Sequence, residues 1–381
     1  MMSAKDLKKP IVVIATLPPP VTGMTLATKI VVNCLMAGHG TLVHNWSDGR
    51  EKKGGTWRFV KAVRSLSSVV YLVKWRNRSS RVMYTVANAG GGLYYNLLII
   101  AVARLLQYRC VVHHQVFSYL HRFDWRMNLI AKMVGRSGFH VVLAPEMNQR
   151  FEDLYGRTNR QFILPNTIIM DSGGMQAVLT RDIDSGKGMC IGHLSNLTME
   201  KGLGHVIATF EALRSKQLDV RLVLAGPITG EREKSVIRQA LKAHGSRIEY
   251  RGAVYGEDKA QFFRDIEVFL FPTQYRNEAQ PLVIAEALSY CRPVIAFGLA
   301  CIPSLVGQTG GVVLPCDADF AKVASSRIEA WINDPEGFRN AVCGVQAHAA
   351  KLKFEADEGI NQLVRQLVAM ADNSSTCGTF D

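Results

Sequence analysis

Hydrophobic positions alternate between two patterns along the whole chain. Short, nearly continuous apolar runs are separated by stretches in which apolar residues recur at helical spacing, such as 205–217 and 231–245. Continuous apolar runs are typical of strands covered on both faces of a parallel sheet. The sequence therefore predicts an α/β protein with Rossmann-like parallel sheets. The predicted strands are residues 11–15, 81–86, 110–116, 140–144, 161–166, 188–194, 220–226, 248–252, 268–272 and 293–297.

The alternation is interrupted once, between Met170 and Gly188. This stretch is polar, contains glycine and has no sustained periodicity, as expected for a linker between domains. A chain of 381 residues is long enough for two domains with separate cores. We therefore predict an N-terminal domain over residues 1–174 and a C-terminal domain over residues 175–381.

Two apolar segments need to be distinguished from membrane or export signals. Residues 90–106 are interrupted by Asn96 and Arg104 and are slightly short for a bilayer, so we predict a buried helix there. Residues 11–17 run into three prolines without a small-residue cleavage site, which favours a first strand. The eight cysteines are scattered without zinc-type spacing, as in reduced cytosolic proteins. We therefore expect a cytoplasmic protein.

Charge is distributed unevenly between the two halves. Residues 1–170 contain 23 Lys and Arg against 7 Asp and Glu, a net charge of +16, whereas the remainder contains 22 against 25, a net charge of −3. This asymmetry indicates that the first half faces an anionic partner, with an ordinary solvated surface as the alternative. A phospholipid surface or a pyrophosphate-linked lipid fits better than nucleic acid, because no nucleic-acid-binding motif is present.

The densest group of candidate binding residues lies between Phe271 and Ala296. A predicted strand ends at Pro272, a loop carries Glu278, and a helix that starts near Pro281 carries Glu286. The N–H groups and positive dipole end of such a helix suit an anion or sugar hydroxyls. From the second helical turn, the carboxylate of Glu286 can accept two hydrogen bonds from a ribose diol. The residues that open this helix are Ala279, Gln280, Pro281 and Leu282.

The seven residues between Glu278 and Glu286, together with the EAL and RPVIA sequences that follow, resemble the donor-site motif of retaining family 4 (group 1) glycosyltransferases. The resemblance is strong over residues 190–315 and loose before residue 160. It implies the GT-B fold, in which two Rossmann-like domains face each other across a cleft. It also implies that Glu278 lies by the transferred sugar and that Glu286 binds the ribose of the nucleotide.

A second motif resembles the same family. Lys201 and Gly202 precede a predicted helix, at the position where the family has an arginine, a spacer and a Lys-Gly pair that holds the diphosphate. Asn196 stands where the arginine is usual. The resemblance therefore implies that Lys201 is the main cation for the diphosphate and that Asn196 contributes a neutral donor.

Further correspondences are local. Gly23 lies in the loop after the first strand, where the family places a glycine whose backbone approaches the diphosphate. His113 and His114 end a strand at which a family histidine contacts the donor sugar; they point to opposite faces, and we favour His114. The loop from Gly252 to Val254 resembles the one that contacts the base. Departures occur at Thr167, Cys291 and Ser304, which replace residues common in the family.

The resemblance implies transfer of a sugar with retention from a nucleotide diphosphate sugar to a hydroxyl of a glycan or lipid-linked acceptor. No cofactor is expected, and no metal either, since the positive helix end and Lys201 would take the place of a divalent cation at the diphosphate. We predict a role in bacterial cell-surface or exopolysaccharide biosynthesis, and peripheral contact between the basic segment 57–81 and the anionic inner membrane at its cytoplasmic face. The alternatives are a non-catalytic nucleotide-sugar-binding homologue, a nucleotide-sugar epimerase and a hydrolase of the same fold.

Overall fold

Strands and helices alternate along both halves of the chain in the computed structural model. The structure describes residues 9–19, 21–47, 55–156, 160–170 and 188–373, with side chains from residue 60 onward in the helix that starts at Gly55. The chain folds into two units, each with its own sheet. Each sheet has six strands, and all the paired strands are parallel.

The N-terminal unit is built around a sheet with the strand order β2-β1-β3-β4-β5-β6. Its strands are β1 (Ile11–Ala15), β2 (Thr41–Asn45), β3 (Val82–Ala87), β4 (Arg109–His114), β5 (Phe139–Val142) and β6 (Gln161–Ile163). Its connecting helices are α1 (Gly23–Gly38), α2 (Gly55–Trp75), α3 (Gly92–Leu105), α4 (Trp125–Val134) and α5 (Pro145–Tyr155).

The C-terminal unit repeats this design with the strand order β12-β11-β10-β7-β8-β9. Its strands are β7 (Met189–Leu194), β8 (Val220–Ala225), β9 (Ile248–Tyr250), β10 (Val268–Phe271), β11 (Val294–Phe297) and β12 (Gly311–Leu314). Its helices are α6 (Leu203–Ser215), α7 (Glu231–His244), α8 (Gly256–Asp265), α9 (Leu282–Ser289), α10 (Ile302–Val306) and α11 (Phe320–Asn333), and the last helix of the chain is α12 (Pro335–Asp372).

The chain ends in the unit in which it began. Met1–Ile168 and Glu355–Asp381 form the N-terminal unit, and Ile169–Phe354 form the C-terminal unit. The sequence-based assignment of residues 175–381 to one domain therefore needs correction, because the second half of α12 packs on the N-terminal unit. The Arg109 guanidinium donates to the carbonyl of Met370 there. The predicted linker boundary at residues 174 and 175 lies outside the described residues.

The predicted α/β fold class is confirmed, and each predicted strand run coincides with a strand. The sequence analysis missed two strands, β2 and β12, and both lie at the edge of a sheet. The β2 residues are half-buried or exposed, whereas all five residues of β1 are buried. An edge strand is covered less completely, and in β2 the apolar run is only two residues long, Leu42 and Val43.

Helix α3 is less buried than its sequence predicted. Ile99, Ile100 and Ala103 lie in the core, but Leu98 is 46% exposed and Leu105 is 80% exposed. The helix is therefore apolar on both its core side and its outer side. Within the described parts of the chain, no helix combines the length and the apolar composition that crossing a bilayer requires.

Candidate functional site

Two loops of the C-terminal unit meet at the carboxyl edge of its sheet. Strands β7 and β10 are neighbours, so the loops that follow them leave the sheet side by side. Gly202, after β7, has a φ of +94°, and a Cβ there would lie 2.4 Å from the carbonyl oxygen of Pro272, after β10. Only glycine satisfies both the backbone conformation and this close approach. The Gly of the Lys-Gly pair therefore fixes where Lys201 is held.

Lys201 and Glu278 form an ion pair across these two loops. The side chains are 18% and 12% exposed, respectively, so the pair is largely shielded from solvent. The Thr273 hydroxyl also donates to the Glu278 carboxylate, at 3.3 Å. The Lys201 ammonium lies 4.6 Å from the centre of the Tyr275 ring, within the range of a cation–π contact. The two residues that the sequence assigned to the diphosphate and the sugar thus lie together.

A second ion pair lies one helix away. Glu286, on α9, contacts the ammonium of Lys259, on α8. Burial raises the pKa of the Glu286 carboxyl above its ordinary value, and the positive charge of Lys259 lowers it in part. The carboxylate is therefore held at some electrostatic cost, in a position where additional hydrogen-bond donors would stabilise its charge.

The start of α9 lies between the two acids in the chain. Pro281 occupies the N-cap position, and the helix begins at Leu282, one residue later than the predicted start. A proline side chain provides no hydrogen-bond acceptor, so it leaves the first N–H groups of the helix for a ligand or solvent. Ala279 and Gln280 are buried, and the Ala279 carbonyl accepts from the Cys301 N–H at 3.0 Å. These residues brace the loop behind the helix start.

The loop after β9 lies at the same edge of the sheet. Gly252 has a φ of +68°, and no atom lies within 4 Å of the position a Cβ would take, so the backbone there is open. Its carbonyl accepts from the Gly226 N–H at 2.6 Å. Val254 is 8% exposed and belongs to the same apolar cluster as Ile284 on α9. The predicted base-contacting loop is therefore packed against the helix that carries Glu286.

The C-terminal unit also matches a known protein family. Residues 188–330 match the family described as "Glycosyl transferases group 1". This segment contains Lys201, Glu278 and Glu286 and the strands that position them. Residues 188–330 are therefore similar to group 1 glycosyltransferases, and we call this segment the group 1 domain.

Two curated proteins are similar to part of the chain. The chain is 29% identical to the O-antigen chain mannosyltransferase C of Escherichia coli over 136 residues. This match covers 35% of this chain and 34% of that protein. It is 28% identical over 154 residues to the capsular polysaccharide biosynthesis glycosyltransferase CapM of Staphylococcus aureus, covering 40% of this chain and 38% of that protein. The chain thus spans little more than a third of the length of these relatives.

Solved structures resemble a larger part of the chain. Anabaena HepE in complex with UDP superimposes with a TM-score of 0.70 at 15% identity, covering 94% of this chain and 100% of that one. Sucrose-phosphate synthase from Thermosynechococcus elongatus gives a TM-score of 0.69 at 14% identity, covering 95% and 100%. Likeness at this identity shows the fold alone, and it confirms the predicted GT-B fold.

Two predicted residues outside the ion pairs differ in their surroundings. Asn196 lies on the same loop of the group 1 domain as Lys201 and is exposed. Gly23 belongs to the N-terminal unit and is the first residue of α1, which Thr22 and Thr25 cap reciprocally. The cap fixes the helix start, and Gly23 is exposed there.

His113 and His114 lie at the carboxyl end of β4 in the N-terminal unit, and both are fully buried. His114 Nδ1 lies 2.8 Å from the Tyr119 hydroxyl, and its Nε2 lies 2.8 Å from His140 Nδ1. His113 Nδ1 lies 2.6 Å from the Tyr84 hydroxyl, while its Nε2 has only a long contact of 3.5 Å with Gln115. The two rings point to opposite faces, as predicted, but this geometry favours His113 over His114 as a ligand contact.

Burial keeps these histidines neutral. It lowers the pKa of His113 and of His140 to about 3, and it lowers the pKa of His114 well below its usual value, with further lowering from its histidine neighbours. A neutral imidazole donates one hydrogen bond and accepts another. The cluster is therefore suited to orientation and hydrogen bonding rather than to carrying a positive charge.

Sequence reasoning missed several residues that shape the group 1 site. Lys259 belongs to no recognisable motif, and a single lysine in an amphipathic helix is usually an ordinary surface residue. Thr273 and Tyr275 lie in the motif loop, but only the structure shows their contacts with Glu278 and Lys201. His193 ends β7, and it donates from Nδ1 to the Leu270 carbonyl at 2.8 Å while its Nε2 faces the Ser195 hydroxyl at 2.8 Å. Its place at a strand end was the available signal.

Metal ligands are not grouped in the described part of the chain. Among the residues that the structure describes, no three His, Cys, Asp or Glu side chains come together in an arrangement that could hold a metal ion. The charged groups at the carboxyl edge of the group 1 domain are instead arranged as carboxylate–ammonium pairs.

Proposed function

We propose that this chain is a retaining, metal-independent glycosyltransferase that transfers a sugar from a nucleotide diphosphate sugar to a hydroxyl of a glycan or lipid-linked acceptor. The observation that carries the proposal is the pair of carboxylate–ammonium contacts, Lys201 with Glu278 and Lys259 with Glu286, on either side of the α9 start. They offer a cation for a diphosphate and carboxylates for sugar and ribose hydroxyls at one edge of one sheet.

Lys201 is the group that would stabilise the leaving diphosphate. Its ammonium is held in place by Glu278 and by the face of Tyr275 before any ligand binds. Negative charge grows on the diphosphate as the bond to the sugar breaks, and a preorganised cation lowers the energy of that transition state. The exposed Asn196 on the same loop supplies a neutral donor to the same anion.

Glu278 and Glu286 have different tasks in this proposal. Glu278, with Thr273 donating to it, positions the transferred sugar and stabilises positive charge on its ring in the transition state. Glu286 accepts hydrogen bonds from the ribose diol, which compensates the burial of its carboxylate. The acceptor hydroxyl attacks from the face that the diphosphate leaves, so the anomeric configuration is retained. In the N-terminal unit, His113 is the proposed hydrogen-bond partner of the donor sugar.

The biological setting of the proposal is cell-surface polysaccharide biosynthesis at the cytoplasmic face of the inner membrane. Its support is the similarity to an O-antigen mannosyltransferase and to a capsular polysaccharide glycosyltransferase. The basic N-terminal half, with a net charge of +16 over residues 1–170 from 23 basic and 7 acidic side chains, suits a pyrophosphate-linked acceptor.

Donor binding is the first test. Thermal-shift titrations of the full chain with UDP-, GDP- and ADP-sugars should show that one of them raises the melting temperature. Glu286→Ala should lose that response, because the ribose diol loses its acceptor. Glu249→Ala is the matched control, because Glu249 on β9 is an exposed carboxylate that pairs with Arg251. This variant should keep the response.

Product analysis is the second test. With the donor found in this way and a lipid-linked glycan acceptor, NMR of the product should show the anomeric configuration of the donor. The same rate should be measured in the presence of EDTA. Inverted product, or activity that EDTA abolishes, would contradict the mechanism. Donor hydrolysis or isomerisation without transfer would establish the rival hydrolase or epimerase instead.

A further inference from the structure

Exposed apolar side chains in the N-terminal unit concentrate on three neighbouring helices. Helix α3 packs against α2 on one side and against α4 on the other. Ten large apolar side chains, nine on these helices and one two residues before α4, are at least 42% exposed. We call them the apolar helix face: Val63, Leu66, Val70, Val73, Tyr94, Leu98, Leu105, Phe123, Trp125 and Leu129. Contiguous exposed apolar surface of this kind marks an interaction site.

The α2 part of this face reverses the usual distribution of side chains. Val63, Leu66, Val70 and Val73 recur at intervals of three and four residues, so they form one stripe along the helix, and they are between 51% and 61% exposed. Ser65 and Ser68, by contrast, are buried, and each donates to a carbonyl four residues earlier in the helix. The helix thus exposes an apolar stripe, while Leu72 and the two serines are buried.

Positive charge surrounds the apolar helix face. Residues 55–145 contain 13 Lys and Arg but a single acid, Asp124. That acid is already neutralised, because the Arg126 guanidinium contacts both of its carboxylate oxygens. A partner complementary to this surface is therefore negatively charged as well as apolar. The basic residues exposed on and beside the three helices are Lys74, Arg78, Arg122, Lys132 and Arg136.

Aromatic side chains mark one end of the face. Tyr94 and Trp125 are each 53% exposed, and their rings lie edge to face with centroids 6.1 Å apart. Arg126 covers the Tyr94 ring, with its guanidinium carbon 5.0 Å from the centroid. These residues start α3 and α4, beside the carboxyl ends of β3 and β4. Tyrosine and tryptophan are enriched where a membrane meets water, because one part of each is apolar and another polar.

We propose that the apolar helix face docks on a bilayer that contains anionic phospholipids. The stripe of α2 and the exposed side chains of α3 and α4 enter the boundary between headgroups and acyl chains, while the basic residues contact the headgroup phosphates. An apolar stripe with basic flanks is the composition of helices that lie in this boundary. The inference rests on the proposed function, since docking would bring the carboxyl edge of the N-terminal sheet to a lipid-linked acceptor.

The surface is larger than the sequence indicated. The basic segment 57–81 predicted membrane contact through α2 alone, and the apolar segment 90–106 was expected to be buried. The structure instead exposes Tyr94, Leu98 and Leu105 beside α2. The proposed contact therefore extends across three helices.

Vesicle co-sedimentation of the full chain tests the proposal. The probes are vesicles of phosphatidylcholine alone and vesicles of phosphatidylcholine with phosphatidylglycerol. The wild type should bind the anionic vesicles, with binding weakened by salt. Lys74→Glu with Arg78→Glu should reduce that binding about tenfold or more, because each basic residue near an anionic surface contributes on the order of 1 kcal/mol. Leu66→Gln with Val70→Gln should reduce it by a similar factor.

Matched controls come from the C-terminal unit. Arg238→Glu with Lys242→Glu reverses two exposed charges at the same spacing, on α7, and Phe354→Gln replaces an apolar residue that is 69% exposed. Both should bind anionic vesicles as the wild type does. All variants should keep the thermal shift that the donor produces in the wild type. If the wild type itself shows no such shift, the proposed function is contradicted and the docking result still stands.

Three outcomes would overturn the proposal. The wild type could fail to bind anionic vesicles. The face variants and the control variants could bind anionic vesicles equally well, either because the face variants lose nothing or because the controls lose the same amount. Finally, sedimentation of the lipid-free wild type could show a dimer that Leu66→Gln with Val70→Gln dissociates, which would assign the face to a second copy of the chain.

Discussion

The carboxyl edges of the two sheets carry opposite kinds of polar side chain. In the N-terminal unit, His113, His114 and His140 are buried and neutral, and they bond to one another or to tyrosines. In the C-terminal unit, Lys201 and Lys259 each face a carboxylate. The same sheet geometry therefore supports a neutral hydrogen-bonded cluster in one unit and charged groups in the other. Charge lies where an anion is proposed to bind, and the neutral cluster fixes local structure.

Acid should destabilise the N-terminal unit more than the C-terminal unit. His113 and His140 have pKa values lowered to about 3 in the folded state, against an ordinary value near 6.5, so the unfolded chain binds more protons between these limits. Their stabilising effect is present above pH 6.5 and is lost as the pH falls. Each such histidine should lower the free energy of unfolding by about 2 kcal/mol at pH 5. His113 and His140 together should therefore cost the N-terminal unit about 4 kcal/mol, and the lowered pKa of His114 acts in the same direction.

The C-terminal unit should resist acid better. Among its described histidines, His193 has a pKa lowered to about 4, and burial also lowers the pKa of His205. The raised pKa of Glu286 acts in the opposite direction, because its burial penalty disappears as the carboxyl becomes protonated. Urea unfolding at pH 7 and pH 5, resolved by hydrogen exchange and mass spectrometry, should show the N-terminal unit unfolding first at pH 5. Equal loss of stability in both units would remove the distinction.

Removing the cation of the first ion pair should cost the most activity. Lys201→Ala should lower kcat about 100-fold to 1,000-fold, which is the effect of deleting one preorganised group that stabilises transition-state charge. The control is Lys234→Ala, on α7, whose partner Glu231 is largely exposed, and it should change kcat little. A Lys201→Ala enzyme that keeps most of its kcat would show that the charged edge does not stabilise the leaving group.

The two adjacent histidines should separate stability from activity. His114→Leu leaves Tyr119 and His140 without their partner, and it should lower the free energy of unfolding by about 3 kcal/mol, the cost of buried polar groups left unpaired. Urea denaturation measures this loss. His113→Ala should also lower the free energy of unfolding, because the Tyr84 hydroxyl loses its partner, but it should in addition lower kcat/KM for the donor by about tenfold, the effect of one lost hydrogen bond to the sugar. The reverse pattern would restore His114 as the ligand contact that its sequence position first favoured.

The smallest effect is expected at the second ion pair. Lys259→Met removes the positive charge beside Glu286, so the pKa of this carboxyl should rise further. Donor affinity should fall by about five- to tenfold at low pH and recover as the pH is raised, because a protonated Glu286 carboxyl is a poorer acceptor for the ribose diol. Lys259→Arg keeps the charge and should behave like the wild type in isothermal titration. A loss of affinity that is the same at every pH would point to direct contact between Lys259 and the donor.

The central strands and the charged residues of the C-terminal unit could be predicted from the sequence, because both depend on local patterns. Buried central strands give continuous apolar runs, and the Lys-Gly pair and both glutamates follow strands directly. The edge strand β2 was missed because partial burial leaves it an apolar run of only two residues, Leu42 and Val43. Cys291 shows a subtler limit. The family commonly has glycine there, and the structure gives a backbone reason, since Cys291 has a φ of +54°.

Other features depend on contacts between distant parts of the chain. The sequence placed His113 and His114 at a strand end but could not show that Tyr84, Tyr119 and His140 enclose them. Lys259 and Glu286 are 27 residues apart, and their pairing follows from the packing of α8 beside α9. A contact between residues so far apart leaves no local pattern in the sequence. The same is true of the last helix, whose periodicity predicts a helix but not the unit on which it packs.

The return of α12 to the N-terminal unit has a consequence for protein synthesis. Leu363, Leu367 and Ala371 are buried, and Val364 lies against Gly38 of α1. A ribosome completes these residues only after the whole C-terminal unit has been made. The N-terminal unit therefore carries an uncovered apolar surface until α12 has been synthesised. A chaperone that protects nascent chains would have its longest task at the N-terminal unit, although that unit is made first.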